Sequence, residues 1–450
     1  MKKSYFTVAS NTLYQVLGRF VAALAAVLIT RMLTGVLGIE GYGSYQIILT
    51  VASSLWILTD FGLNAVAVRR MAAEPMREQS VFSALLTCRL ILGLVLTLGL
   101  CIATFFLPYE EVIKFGIWLS SITVITQSIR GAASGIFQLK LRYDLQFVAE
   151  TAGSIFYLGA IYLVLSRHWG LRGVSLAFVL QYFLVAVLFY LFSRRWVSFK
   201  TNFLYRPDFC RLLSLSKVNR GDLYCKNDKK RVLDLAREAF PFGAALFFSL
   251  LISKIDTLLL SIMPQAGISQ AEAVGHYNLG FKLFEFVLAV PVFFMNVLYP
   301  LLVKNLATKK EYFVETVKKS FLILLNMAVW GSIVLYITAP YLIKIFAKDI
   351  DIGPAVQVLR NMTLFTPVFF ISALLMWVLV VFKKQKALIV IYASAFIFSL
   401  TLNYLFIPRY SYLAPSVIKG FTEILILIQL IVVSLRCWRT RLTDCDNICL

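Results

Sequence analysis

Twelve apolar stretches fill most of this chain, and each approaches the about 20 apolar residues that carry a helix across a bilayer. They fall near 8–34, 43–66, 82–107, 113–138, 145–166 and 172–193. After a polar interval six more follow, near 239–263, 275–302, 320–343, 358–382, 387–407 and 413–435. The pattern predicts an all-α polytopic membrane protein with about 12 transmembrane helices in two pseudosymmetric six-helix bundles. Residues 1–193 form the first bundle, 194–238 a basic cytoplasmic connection, 239–435 the second bundle and 436–450 a cytoplasmic tail. Six helices per half is an even number, so both halves enter from one side and relate by an axis along the membrane normal. The first stretch carries Arg19 and Arg31, has no small-residue cleavage site and is too long for a signal peptide, so it counts as the first membrane helix.

Composition agrees, since 60% hydrophobic and only 15% charged residues describe a chain whose solvent is lipid. The net charge of +21 changes the picture through its distribution. With alternate connections assigned to opposite sides, thirty of the 44 Lys and Arg residues collect on one side, twelve of them between Arg194 and Arg237. Eight lie on the other side and six inside the apolar stretches. Such a bias predicts cytoplasmic termini in a cytoplasmic (inner) membrane, with anionic lipids as the partners of the basic side and no nucleic acid partner. Of seven cysteines, Cys88 and Cys101 sit in apolar helices and the other five on the cytoplasmic side, where free thiols are expected.

The six intramembrane cations are Arg19, Arg89, Arg130, Lys254, Lys282 and Lys419. A charge within hydrocarbon persists only where it faces protein or water, so they are expected to line an internal, positively charged passage for an anion. Four carboxylates accompany them as candidates for ion coupling: Asp60, Asp256 beside Lys254, Glu285 one turn after Lys282, and Glu423 one turn after Lys419. Spacings of three and four residues place the last two on common helix faces with their lysines. Buried ion pairs or snorkelling side chains that hold helices in register remain the competing reading.

Signals of other chemistry are missing. Gly275 to Lys282 misses the phosphate-binding loop, because Lys does not directly follow the second Gly and no Ser or Thr follows it. His168 and His276 make no metal set with distant cysteines, and no nucleophile-base constellation stands out. The chain is therefore expected to be a transporter, with no cofactor and no enzymatic activity.

Four motifs carry a resemblance. They are Leu37-Gly38-Ile39-Glu40-Gly41-Tyr42-Gly43-Ser44-Tyr45, Thr59-Asp60-Phe61-Gly62-Leu63-Asn64-Ala65, Phe240-Pro241-Phe242 leading to Lys254-Ile255-Asp256-Thr257, and Val274-Gly275-His276-Tyr277-Asn278. In order and placement they resemble the polysaccharide flippases of the multidrug, oligosaccharidyl-lipid and polysaccharide exporter superfamily. That resemblance implies two bundles, alternating access and a lipid-linked sugar as substrate. It carries over Asp60 and Asp256 as functional positions, and Gly43, Tyr45, Gly275 and Tyr277 as packing positions. Many members have fourteen helices, whereas twelve are expected here.

A polyprenyl-pyrophosphate-linked sugar suits such a passage, because its anionic head and glycan cannot cross hydrocarbon while its tail can stay in lipid. Arg and Lys would bind the pyrophosphate through charge-assisted hydrogen bonds. Tyr42, Tyr45 and Tyr277 are candidates for stacking on sugars, with an interfacial aromatic belt as the alternative. Glycan polymerases or other assembly proteins of O-antigen or exopolysaccharide synthesis are candidate partners. A drug or cation antiporter of the same superfamily is the second reading, and a membrane-embedded glycosyltransferase the third.

Overall fold

A computed structural model describes residues 2–199, 243–244, 247–265, 267–308, 310–348, 350–382 and 384–444. The connection beyond Phe199, Phe240-Pro241-Phe242, and Cys210, Cys225, Cys445 and Cys449 lie outside the described residues. Among the described residues the secondary structure is helical. In chain order the helices are α1 (Lys2–Asp60), α2 (Leu63–Ala73), α3 (Glu78–Phe106), α4 (Glu111–Ser120), α5 (Ile122–Leu139), α6 (Tyr143–Ser166) and α7 (Gly170–Ser193). Residues 247–262 form α8. There follow α9 (Gln270–Thr308), α10 (Lys310–Phe346), α11 (Gly353–Thr363), α12 (Thr366–Val381), α13 (Gln385–Tyr410) and α14 (Leu413–Asp444).

Nine of the described helical runs are long and apolar enough to cross a membrane, and α11 with α12, bent by 47°, makes a tenth. This is a multi-pass membrane protein. The number differs from twelve chiefly because the first two expected stretches run into one another in α1, and because α8 is described over a short length. Inside α1 the break is Gly38, at φ 69 and ψ −173, a conformation that residues with a Cβ rarely adopt. The bend between α11 and α12 has a proline beside it: Pro367 occupies the first turn of α12, where its missing N–H costs no helical hydrogen bond.

Burial along α3 shows how lipid replaces water as the outer solvent. Val95, Leu98, Ile102 and Phe105 recur at helical spacing and are exposed, while Arg89, Gly93, Thr97, Leu100 and Thr104 on other faces are buried. From Gly93 onward the buried face is mostly small and polar and the exposed face large and apolar, the arrangement expected of helices packing in hydrocarbon.

The chain divides into two compact units, Met1–Val36 with Ile48–Phe247, and Leu37–Ile47 with Phe248–Leu450. The segment after Gly38, which the apolar pattern places with the first bundle, thus packs in the second unit. Its packing explains why. A Cβ on Gly43 would stand 1.7 Å from the Ala271 carbonyl oxygen, and one on Gly275 would stand 2.4 Å from that of Ile39. The two backbones cross with room only for hydrogen atoms, and Tyr42 and Tyr277 are fully buried nearby in sequence. Gly43→Leu and Gly275→Leu are each expected to abolish monodisperse protein in detergent, because overpacking against backbone exceeds the usual penalty of about 1–3 kcal/mol. Gly99→Leu, at a position with nothing within 4 Å, is expected to behave as the parent.

Candidate functional site

In the first unit the site grows from the end of α1. Asp60 is its last residue, and the chain then turns through Phe61 at φ 33 and Gly62 at φ 76 before α2 begins. A positive φ at Phe61 is unfavourable for a residue with a Cβ, and Gly62 supplies the freedom that completes the turn. Carboxylate and helix C-terminus both place negative charge here, so a cation is needed. Arg89 on α3 provides it, its Nη1 donating to Asp60 Oδ1 at 2.5 Å. The two ends of this pair differ in environment, with Arg89 2% and Asp60 41% exposed.

Arg89 is seated on α5. Its guanidinium lies over Gly131, where a Cβ would meet Nη2 at 2.1 Å. The Ser128 hydroxyl donates to the Arg89 carbonyl at 3.0 Å, and Asn64 Nδ2 donates to the Gly131 carbonyl at 2.9 Å. One residue before Gly131, Arg130 donates through Nη1 to Gln127 Oε1 at 3.0 Å and through Nη2 to Glu150 Oε1 at 2.6 Å, with its guanidinium 5.6 Å from the centre of the Phe189 ring. The charges of Arg89 and Arg130 lie within range of one another. In both arginines the buried Nε has no hydrogen-bond partner among the described residues. Each guanidinium offers five N–H donors, more than its carboxylate takes.

Glu150 was not among the expected carboxylates. It stands in the first half of α6 and meets Arg130 across helices, which no i, i+3 or i, i+4 rule detects. Arg19 is exposed in the middle of the first apolar stretch, although it has contacts of its own.

In the second unit the lysines and carboxylates gather into one charge-balanced cluster. Lys419 Nζ donates to Asp256 Oδ2 at 2.5 Å, and the two side chains are only 6% and 1% exposed. Tyr277 donates its hydroxyl to Asp256 Oδ2 at 2.7 Å, and Asn403 Nδ2 donates to Oδ1 at 3.0 Å. The ammonium group of Lys419 also lies 4.6 Å from the centre of the Phe281 ring. Glu285 is exposed and within electrostatic range of half-buried Lys254 and Lys282. Glu423 is half-buried and feels the charge of Lys419.

Two expectations change with these positions. Helical spacing paired Lys419 with Glu423, but the direct contact is with Asp256 on α8, across helices and not along one face. Tyr42, Tyr45 and Tyr277, candidates for sugar stacking, are buried to 0, 7 and 0% exposure and present no ring face to a ligand. More broadly, Arg89, Arg130 and Lys419 each pair directly with a carboxylate, and Lys254 and Lys282 share the field of Glu285, so much of the positive charge suggested by the sequence is offset in place. A cavity of about 280 Å³ among Leu86, Leu90, Ile129, Phe183 and Ala186 is apolar and holds none of these charges. Among the described residues no three His, Cys, Asp or Glu side chains are grouped to hold a metal.

The family model described as polysaccharide biosynthesis protein matches residues 8–306, two thirds of the chain. The chain belongs to the polysaccharide biosynthesis protein family. A second model, MatE, matches residues 241–405. Among solved structures, this polysaccharide biosynthesis protein is similar to the lipid II flippase MurJ in an inward closed conformation, with TM-score 0.70 and 12% identity over 94% of this chain and 87% of that one. It is also similar to an inward-facing multidrug resistance MATE family transporter of the MOP superfamily, with TM-score 0.67 and 14% identity over 95% and 96% of the two chains. A MOP superfamily transporter from Pyrococcus furiosus gives TM-score 0.57 and 13% identity over 96% and 93%. None of the curated proteins compared matches the sequence. At these identities the likeness concerns the fold, which is that of the MOP-superfamily transporters.

Proposed function

We propose that this protein flips a polyprenyl-pyrophosphate-linked oligosaccharide across the cytoplasmic membrane by alternating access, driven by an ion gradient or the membrane potential. The observation that carries this reading is the Asp60–Arg89 pair. Its cation is buried and fixed on Gly131, while its carboxylate is open and replaceable. An incoming pyrophosphate brings more charge and more acceptor oxygens than one carboxylate, and it would take over the Arg89 donor that Asp60 now holds. Displaced from Arg89, Asp60 becomes free to take up a coupling cation, which links substrate binding to the gradient. Lys254 and Lys282 beside Glu285 offer a similar exchange in the second unit, while Lys419 with Asp256 holds α14 against α8. Membership of the polysaccharide biosynthesis family, and a fold shared with a lipid II flippase, support the same substrate class.

Arg19 is proposed to recruit the head group from solvent. Because its side chain is exposed, Arg19→Ala is expected to leave folding and membrane insertion intact while lowering flipping severely. In cells lacking this chain, lipid-linked intermediates should accumulate facing the cytoplasm, and the Arg19→Ala variant should fail to clear them. Full clearance by that variant would remove Arg19 from the mechanism.

The balanced charges of the second unit and the MatE match over residues 241–405 favour a second reading, export of a cationic drug against an ion gradient. Loss of the chain would then raise cellular accumulation of cationic dyes and leave lipid-linked sugars untouched.

A further inference from the structure

Trp56 stands one helical turn before Asp60 on α1, so the two side chains share a face. Its ring belongs to an aromatic cluster within the first unit. The Tyr182 ring is centred 4.6 Å away and that of Phe178 6.1 Å away, nearly parallel at 17°. Phe178 in turn meets Tyr182 at 4.9 Å and Tyr157 at 6.3 Å. Burial splits the cluster into a floor and a top. Phe178 and Tyr157 are buried, whereas Trp56 and Tyr182 are only half-buried. Trp56 is fixed in orientation, since its indole Nε1 donates to Thr123 Oγ1 on α5 at 3.1 Å. One turn beyond Thr123 lies Gln127, half-buried and accepting from Arg130.

The open side of this cluster lies next to a partly exposed charge. Asp60 keeps 41% of its side chain exposed, and a carboxylate exposed to that extent would not persist against hydrocarbon. Trp56 stands on the same helix face as this carboxylate, one turn away. A rigid, half-buried aromatic ring one helical turn from a partly exposed carboxylate, with an amide one turn beyond its hydrogen-bond partner, matches the chemistry of a sugar. The C–H face of a pyranose lies on the ring, and its hydroxyls donate to carboxylate and amide oxygens.

We propose that Trp56 and Tyr182 form the glycan-binding platform of this protein, with Asp60 and Gln127 as partners for sugar hydroxyls. The proposal rests on the flippase reading and adds to it that the sugar, and not only the pyrophosphate, is recognised in the first unit.

The test uses the purified full chain and two probes. Saturation-transfer NMR with a free N-acetylhexosamine disaccharide should show contact in the parent, weakened about tenfold in Trp56→Leu and Tyr182→Leu. Contact should persist in Trp56→Phe, which keeps a ring, and in Thr123→Val, which removes the orienting hydrogen bond but no ring. In liposomes, Trp56→Leu should slow flipping of polyprenyl pyrophosphate carrying an N-acetylhexosamine about tenfold and leave bare polyprenyl pyrophosphate unchanged. No sugar contact in the parent, or equal contact in Trp56→Leu, would overturn the platform. Because the NMR arm needs no transport, a chain that contacts sugar through Trp56 yet flips neither lipid would keep the platform and defeat the flippase reading. Flipping of both lipids without any Trp56 dependence would do the reverse.

Discussion

Lys419→Met is expected to remove most of the folded protein from the membrane, and Asp256→Asn added to it to restore a large part. The pair is the most deeply buried ionic contact among the described residues, at 6% and 1% exposure. Removing the lysine alone leaves a carboxylate with no counter-ion in a low-dielectric interior. Breaking such a pair from one side costs about 3–5 kcal/mol, a large share of the margin of a folded protein. Removing both charges avoids that cost, because isosteric neutral groups often match or exceed a buried ion pair in stability. Tyr277 retains an acceptor on the new amide, which helps the double variant. Thermal midpoints and monodispersity in detergent read the effect. Single variants as stable as the parent would show that the pair is not structural and would return Lys419 to the list of groups open to ligand.

Arg89→Ala is expected to lower flipping roughly 10- to 150-fold, the factor that corresponds to losing one or more hydrogen bonds to a charged group. The stability cost should be modest, because the Asp60 carboxylate left behind is already 41% exposed and can be hydrated. Arg89→Lys keeps the charge without the planar fork and should fall between parent and Ala. Gly131→Ala offers a route to the same result that leaves the guanidinium present, since the added Cβ would stand 2.1 Å from Arg89 Nη2 and unseat it. Asp60→Asn should act differently. With the competing carboxylate gone, polyprenyl pyrophosphate should bind more tightly while turnover falls and loses its dependence on the ion gradient. Tighter binding together with slower turnover separates a displaceable counter-ion from a residue that merely holds helices together. Unchanged binding in Asp60→Asn would remove the exchange step from the mechanism.

Much of the fold was legible in the apolar pattern, because lipid imposes a length on every span and sequence hydropathy reports that length directly. The break at Gly38 and the bend near Pro367 also follow from residue type, since each disrupts helix geometry by a local rule. The assignment of Leu37–Ile47 to the second unit was not legible. It depends on two glycines more than two hundred residues apart whose backbones meet, and hydropathy carries no trace of such a crossing. The intramembrane charges were found easily as exceptions to an apolar background. Their partners were not, because Arg89–Asp60, Arg130–Glu150 and Lys419–Asp256 all bridge different helices, while sequence spacing reveals only neighbours along one. Tyr42 and Tyr277 misled for a related reason: an aromatic ring looks the same in sequence whether it faces a ligand or fills a core. Trp56 drew no notice within its apolar stretch until its neighbours, its half-buried ring and the wet carboxylate one turn away were seen together.

The most direct measurement of the central claim is transbilayer movement in liposomes loaded with polyprenyl-pyrophosphate-linked oligosaccharide, with glycan exposure read by a lectin added outside. The parent protein should accelerate movement well above protein-free vesicles, more so with an imposed ion gradient or membrane potential, and Arg89→Ala should approach the protein-free rate. Movement no faster than in protein-free vesicles, in preparations that concentrate a cationic dye against the same gradient, would contradict the flippase account and establish the antiporter in its place.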